Sequence, residues 1–253
     1  MKKIRLIGRL DIKGPNLIKG VHFEGLRVIG DPKKYALQYY LDGIDELIYM
    51  DTVATLYGRN NLLEFVKEIG KNIFIPMTVG GGIRSVDDVY NFLSAGADKV
   101  AVNTAAVNKP EIIKEISKRF GSQCLVVSIE AKHKSENQWE VYTNNGREKT
   151  GKDVVSWAKE VQQLGAGEIL LTSIDQDGTQ KGFDLNLISN VKKNISIPLI
   201  ASGGMGKEED MIDVINDCDI DTVALATVLH KNKYSVRELK KILKSKNFKV
   251  RNL

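Results

Sequence analysis

The sequence predicts a single (β/α)8 barrel (TIM barrel) with an internal twofold repeat. Eight short apolar runs with strand character alternate along the chain with amphipathic stretches of helical length, the pattern of βαβ units and a parallel sheet. The length of 253 residues is that of one such barrel. The third observation is an echo: Ile75-Pro-Met-Thr-Val-Gly-Gly-Gly-Ile83 returns 122 residues later as Ile197-Pro-Leu-Ile-Ala-Ser-Gly-Gly-Met205. The same offset carries Glu46 onto Glu168 and Asn103-Thr104 onto Leu225-Ala226. The reading is one domain over residues 1–253, made of half-barrels 1–122 and 123–253. Eight units with a twofold repeat favour a closed barrel over a doubly wound sheet.

The strand-like runs are Ile4–Asp11, Glu46–Asp51, Ile73–Val79, Lys99–Asn103, Cys124–Glu130, Glu168–Ser173, Leu199–Ser202 and Thr222–Ala226. Between them lie helical stretches at Lys34–Asp42, Leu62–Gly70, Val86–Ala95, Pro110–Phe120, Asp153–Leu164 and Glu208–Asp217. Ser85 stands as an N-cap, with Asp87 and Asp88 in the first turn behind it. Two connections are longer than a barrel needs. Ile12 to Asp31, with Gly14, Gly20, Gly25 and Gly30, reads as a mobile loop. Ala131 to Gly151 holds Gln138-Trp-Glu-Val-Tyr-Thr143 and then Asn144-Asn-Gly146, which reads as a small hairpin with an Asn-Gly turn. Both follow strand ends on the face where barrels place their chemistry, so either is a candidate lid.

Composition narrows the function classes. The apolar fraction of 42% suits a soluble fold with a sizeable core. No apolar run approaches the roughly 18 residues of a membrane span. The start, Met1-Lys-Lys-Ile-Arg-Leu-Ile-Gly-Arg9, lacks the apolar stretch of a signal peptide. Cys124 and Cys218 have no CxxC partner and read as structural thiols in a reducing compartment, so a cytoplasmic protein is expected. The net charge of +5 invites a nucleic-acid reading. Its distribution argues against one: residues 231–253 hold nine Lys/Arg and one acid, a local +8, which leaves 5 − 8 = −3 on the rest. That tail reads as a solvated terminal helix at Val236–Ser245. No membrane or nucleic-acid partner, no cofactor and no metal is expected.

The predicted strand ends carry the candidate chemistry. The first ends in Asp11, the second in Asp51, the fourth in Asn103-Thr104 and the fifth in Glu130. The sixth runs into Ser173-Ile-Asp-Gln-Asp177-Gly178, and the eighth ends in Ala226-Thr227. A lone Asp at a strand end is usually a cap or loop anchor; several acids converging on one rim are harder to dismiss. Asp11 and Glu130 lie on opposite sides of the ring, where two carboxylates can divide acid and base work. A strand, a glycine turn and a helix N-terminus form a phosphate cradle, because glycine lets backbone N–H groups approach an anion. Gly81-Gly82 with Asn103-Thr104, and Gly203-Gly204 with Ala226-Thr227, make two of them. Together they would hold both ends of a bisphosphate and present its middle to the carboxylates.

These residues resemble the cyclase subunits of imidazole glycerol phosphate synthase, the HisF family of histidine biosynthesis. The matching motifs include Lys19-Gly20, Gly30-Asp-Pro32, Gly43-Ile-Asp-Glu-Leu47, Val79-Gly-Gly-Gly-Ile83, Gly96-Ala-Asp-Lys-Val100, Phe120-Gly-Ser-Gln123, Gly165-Ala-Gly-Glu-Ile-Leu-Leu-Thr-Ser-Ile-Asp175, Asp177-Gly-Thr179 and Ile200-Ala-Ser-Gly-Gly204. They span almost the whole chain. The resemblance implies a barrel that takes ammonia from a glutaminase partner. With it the barrel splits a phosphoribulosyl-formimino-aminoimidazole carboxamide ribotide into imidazole glycerol phosphate and an aminoimidazole carboxamide ribotide. It implies Asp11 and Glu130 as the acid/base pair, Lys19 on a loop over the substrate, and Asp51, Thr172, Asp177 and Gly178 around it. At the opposite, N-terminal face it implies a charged ammonia gate of Arg5, Glu46, Lys99 and Glu168, with Asp98 as a contact to a HisH-like glutaminase. That charged set argues against the related sugar-phosphate isomerase of the same pathway.

Three departures stand out. The family has Asp where Glu130 stands, and the extra methylene shifts the carboxylate by roughly 1 Å. The position two before the first acid is usually a small cysteine; here it is Arg9. Alternation puts residues 5, 7, 9 and 11 on one face, so Arg9 falls inside the barrel and needs an anion, with Asp11 or Glu130 as the expected partner. The stretch Lys13-Gly-Pro-Asn-Leu-Ile-Lys19 also differs from the family's Gly-Arg loop. An intact gate below an altered centre fits a second reading: a barrel that passes ammonia from a glutaminase to a separate sugar amidotransferase.

Overall fold

The structure, a computed structural model, describes residues 3–54 and 62–251. Eight parallel strands close into a ring: β1 (Lys3–Lys13), β4 (Glu46–Asp51), β5 (Met77–Gly80), β6 (Lys99–Val102), β7 (Leu125–Ser135), β10 (Glu168–Ser173), β11 (Leu199–Ser202) and β12 (Thr222–Leu225). Pairing of β7 with β10, and of β12 back onto β1, completes the closure. Six of these strands match the expected runs to within a few residues. The third starts later than its apolar run, because Pro76 has no N–H to give to a ladder and Phe74 faces solvent at 76% exposure.

Among the described residues the α-helices on the outside are α1 (Pro32–Leu41), α2 (Leu62–Ile69), α3 (Val86–Ser94), α4 (Thr104–Asn108), α5 (Glu111–Phe120), α6 (Val154–Gln163), α7 (Leu185–Lys192), α8 (Glu208–Asp217), α9 (Thr227–His230) and α10 (Val236–Ser245). Ser85 caps α3 in a full capping box with Asp88. The main core lies between this layer and the ring. A second, smaller apolar cluster of Ile7, Ile48, Ala101, Val126, Leu170, Ile200 and Ala224 fills the ring itself. The terminal stretch is less solvated than its charge suggests. Lys240 is buried against Asp45 at 2.7 Å, and Lys249-Val250 pairs with Lys3-Ile4.

The Ile12–Asp31 connection corrects the expectation of a loop. It forms an antiparallel hairpin, β2 (Asn16–Val21) and β3 (Glu24–Gly30), laid on the end of β1. Its two turn residues, His22 and Phe23, both take positive φ, which a type I′ turn requires and which neither residue favours. Tertiary contact supplies the difference. The His22 N–H donates to the Asp177 carbonyl at 2.9 Å, and Phe23 is buried with Tyr142 and Ile174. The second long connection forms the expected hairpin, β8 (Gln138–Thr143) and β9 (Glu148–Asp153), turned by Asn144, Asn145 and Gly146 at positive φ.

Candidate active site

The two cradles repeat each other in backbone detail. Asn103 sits at φ −129°, ψ −83°, and Ala226 at φ −131°, ψ −80°, each opening a short helix at a strand end. Gly81 and Gly82 take φ of 99° and 72°, Gly203 and Gly204 of 93° and 114°. A Cβ on Gly81 would lie 2.3 Å from the Asp51 carbonyl oxygen, and one on Gly204 would lie 2.0 Å from that of Gly182, so neither position admits a side chain. Among the described residues, the N–H groups of these four glycines donate to no protein acceptor. They stand free for a ligand.

The cradles differ in room. The first opens into a cavity of about 330 Å³ lined by Asp51, Gly81, Gly82, Asn103, Thr104, Glu130, Asn144 and Asn145. The second, with Gly203, Gly204, Ala226, Thr227, Asp177 and Gly178 around it, is about 20 Å³ and has Arg9 in its wall. The β8–β9 turn leans into the first. Asn144 N–H donates to Thr104 Oγ1 at 3.1 Å, Asn103 Nδ2 to the Tyr142 carbonyl at 3.2 Å, and Gly146 N–H to Glu130 Oε2 at 2.7 Å. Asn103 Oδ1 and Asn145 Nδ2 are buried there without a partner among the described residues. The turn itself was legible in Asn-Asn-Gly; that it walls the mouth was not.

Asp11 and Glu130 face one another across the mouth in opposite states. Burial alone would raise the Asp11 carboxyl, but Arg9, with Nε donating to Oδ1 at 2.9 Å, and Lys19 at 3.6 Å outweigh it and hold the group below the usual range. Glu130 is buried with no cation in hydrogen-bond contact among the described residues. Burial pushes it up to about 7, against the downward pull of the Gly146 amide and the more distant Arg9. The expected anion for Arg9 is therefore Asp11. Its Nη1 also donates to Thr172 Oγ1 at 2.8 Å and Ser202 Oγ at 3.2 Å, so Thr172, fully buried, meets the site through Arg9. Lys19 reaches down from the β2–β3 hairpin to both oxygens of Asp177, at 2.8 and 2.7 Å. Asp51 accepts from the Val53 and Ala54 amides at 2.9 Å, anchoring its own turn while lining the first cavity.

At the other end of the ring the four expected charges form a closed circuit. Arg5 contacts Glu46 at 2.7 Å and Glu168 at 2.6 Å; Lys99 contacts the same two at 3.1 and 2.8 Å. Each carboxylate meets both cations, so four charges neutralise one another where one alone would be costly. Arg5 also donates to Thr222 Oγ1 at 3.2 Å. Asp98, beside the ring and exposed, accepts from the Met77 amide at 2.8 Å, and Phe74 and Ile75 line a groove next to it.

Fold and site define a two-cradle (β/α)8 barrel with a carboxylate pair at its mouth and a charged ring at its floor. A family profile described as histidine biosynthesis protein matches residues 5–235. The imidazole glycerol phosphate synthase subunit HisF of Legionella pneumophila is 66% identical over 210 residues, 83% of this chain and 99% of that one. Its counterparts in Prochlorococcus marinus (strain MIT 9515) and Bacillus cereus (strain Q1) are 47% identical over 253 residues and 46% over 247, covering 99% and 98% of this chain and 98% of each relative. The chain belongs to the HisF family of histidine biosynthesis proteins.

Proposed function

We infer that this chain is the cyclase subunit of imidazole glycerol phosphate synthase. It uses ammonia to convert the phosphoribulosyl-formimino carboxamide ribotide into imidazole glycerol phosphate and aminoimidazole carboxamide ribotide. Family membership supports the activity. The geometry that carries the assignment of roles is the carboxyl pair: one held ionised and one retaining its proton near neutral pH, on opposite sides of a single mouth. Ring closure after ammonia adds requires a proton taken from nitrogen and one given to the departing group. Asp11 is set to accept and Glu130 to donate. The two glycine cradles hold the phosphate ends, with Asn103-Thr104 and Ala226-Thr227 beside them, and Lys19 closes the hairpin over the substrate. The Arg5–Glu46–Lys99–Glu168 circuit acts as the ammonia gate. Asp98 and the groove beside Phe74 receive a glutaminase subunit.

The test is turnover of the ribulosyl-formimino substrate with ammonium salts. Activity that survives or rises in Glu130→Asp and disappears in Asp11→Asn supports the roles; an inactive, folded wild type overturns the reading.

One observation favours a second reading, the ammonia conduit for a sugar amidotransferase: Arg9 clamps Asp11. If that clamp silences Asp11 as the base, the substrate assay fails while a glutaminase partner still binds and is activated.

A further inference from the structure

We propose that Arg9 is a phosphate ligand of the second cradle and sets which anion that cradle accepts. This rests on the two-cradle reading and adds a residue to it. A guanidinium carries five N–H donors in one plane. Arg9 uses Nε on Asp11 and Nη1 on Thr172 and Ser202. The two donors of Nη2 meet no acceptor among the described residues. The side chain as a whole is 3% exposed, and Nη2 is not among the buried nitrogens left without a partner, so the little exposure that remains includes this edge, where an incoming anion can accept from it. The plane is fixed on every other side: Phe23 lies over Cζ at 5.7 Å, and three partners hold the remaining edge.

The open edge belongs to the cradle. Arg9 lines the same pocket as Gly203, Gly204, Ala226 and Thr227, and one of its partners, Ser202, directly precedes Gly203. The space here, about 20 Å³ against about 330 Å³ at the first cradle, is small, which suits a compact group such as a phosphate better than a sugar or ring. A phosphate there would accept from the free Gly203 and Gly204 amides and from Nη2, a charge-assisted contact of the kind guanidinium makes best. Charge also calls for it. Arg9 and Lys19 already offset Asp11 and Asp177. An incoming dianion has only amide dipoles unless Arg9 turns part of its charge toward it. The equivalent position in the other half, found by the Asp11-to-Glu130 offset of 119, is Ser128, so the larger cradle has no such group.

Crystals of wild type and Arg9→Gln soaked in inorganic phosphate test this directly. The expected result is an anion in both cradles of wild type, with an oxygen about 3 Å from Arg9 Nη2, and an anion only in the first cradle of Arg9→Gln. An anion in the second cradle of both proteins, or one that ignores Nη2 in wild type, overturns the proposal. So does an anion confined to the first cradle in wild type. Phosphate in neither cradle overturns the two-cradle reading itself. Steady-state kinetics give a second readout that survives poor folding of the Gln variant. Arg9→Lys should raise KM for the ribotide about 10-fold or more with a smaller change in kcat; a fall in kcat at constant KM would mean Arg9 serves Asp11 alone.

Discussion

Arg9 Nε donates to Asp11 Oδ1 at 2.9 Å, two residues along one strand, with both side chains shut away from solvent. Neighbours at i and i+2 share a face of a strand. Here that face is the inside of a barrel, so the pair has no water to share its charge with. Removing one member leaves the other buried and uncompensated, which is costlier than removing both. Asp11→Leu alone, like Arg9→Leu alone, is expected to destabilise by about 3–5 kcal/mol. An apolar replacement of both, Arg9→Leu with Asp11→Leu, should recover much of that loss. Urea unfolding of the four proteins of the cycle checks this. Additive effects would mean the two side chains do not depend on each other.

Glycine placement separates cradle from corner. Gly204 has positive φ and would drive a Cβ to 2.0 Å from a carbonyl oxygen; Gly96 has positive φ and open space around it. Gly96→Ala should cost about 1 kcal/mol, the strain of the left-handed backbone alone. Gly204→Ala adds a displaced loop and should cost about 3 kcal/mol or more while lowering affinity for phosphate compounds. Equal losses at the two positions would show that the second cradle tolerates expansion.

The floor circuit makes a different forecast. Lys99 touches both Glu46 and Glu168, and without it two carboxylates depend on Arg5 alone. Lys99→Met should destabilise by about 1–3 kcal/mol. If the circuit gates ammonia, the variant should alter glutamine-dependent turnover in the glutaminase complex while turnover with added ammonium salts persists. Parallel losses in both assays would reduce the ring to a stability element.

Much of this was legible in the residues, for identifiable reasons. Barrel strands are buried on both faces, so Glu168–Ser173 and Leu199–Ser202 read as short apolar runs and fold as the same residues. The mouth charges were legible because they stand at strand ends, and the floor set because its four positions match the gate of the family it resembles; alternation added only that Arg9 lies inside the ring. The β2–β3 hairpin was not, since His22-Phe23 carries no turn signature and is held in place by Phe23 packing on Tyr142 and Ile174, far away in sequence. Helix α7 carries a weak sequence signal because Asn186, Ser189 and Asn190 interrupt its apolar pattern, although Asp184 caps it by accepting from the Leu187 N–H. Arg9 was legible as a buried cation in need of an anion. Its choice of Asp11, with Thr172 and Ser202, was not, because those partners arrive from strands that sequence distance does not relate.

The hairpin's dependence on distant packing is itself testable. Phe23→Ala removes its share of a three-residue cluster, and Lys19→Met removes the tie to Asp177. Each should raise amide exchange over residues 16–30 and leave the ring strands protected. Uniform loss of protection across the barrel would place the hairpin in the global fold.

Glu130 gives the chain a pH dependence of known sign. Below about pH 4.5 its carboxyl is protonated in the folded and unfolded chain alike, and burial exacts nothing. As pH rises towards 7, the unfolded chain releases the proton while the folded one keeps it, so stability falls across that window. The loss amounts to about 3 kcal/mol by the time the folded group ionises, at 1.36 kcal/mol per unit. Asp11 works the other way: its pair with Arg9 stabilises above the ordinary carboxylate range and fails only as acid protonates it. Urea melts of wild type and Glu130→Gln between pH 5 and 8 isolate the first effect, because the amide does not titrate. The wild-type curve should drop relative to the variant as pH rises. If Glu130 is the acid, turnover should decline above about pH 7 as it loses its proton. Stability curves that stay parallel across the range would show that Glu130 is ionised throughout and leave the site without its acid.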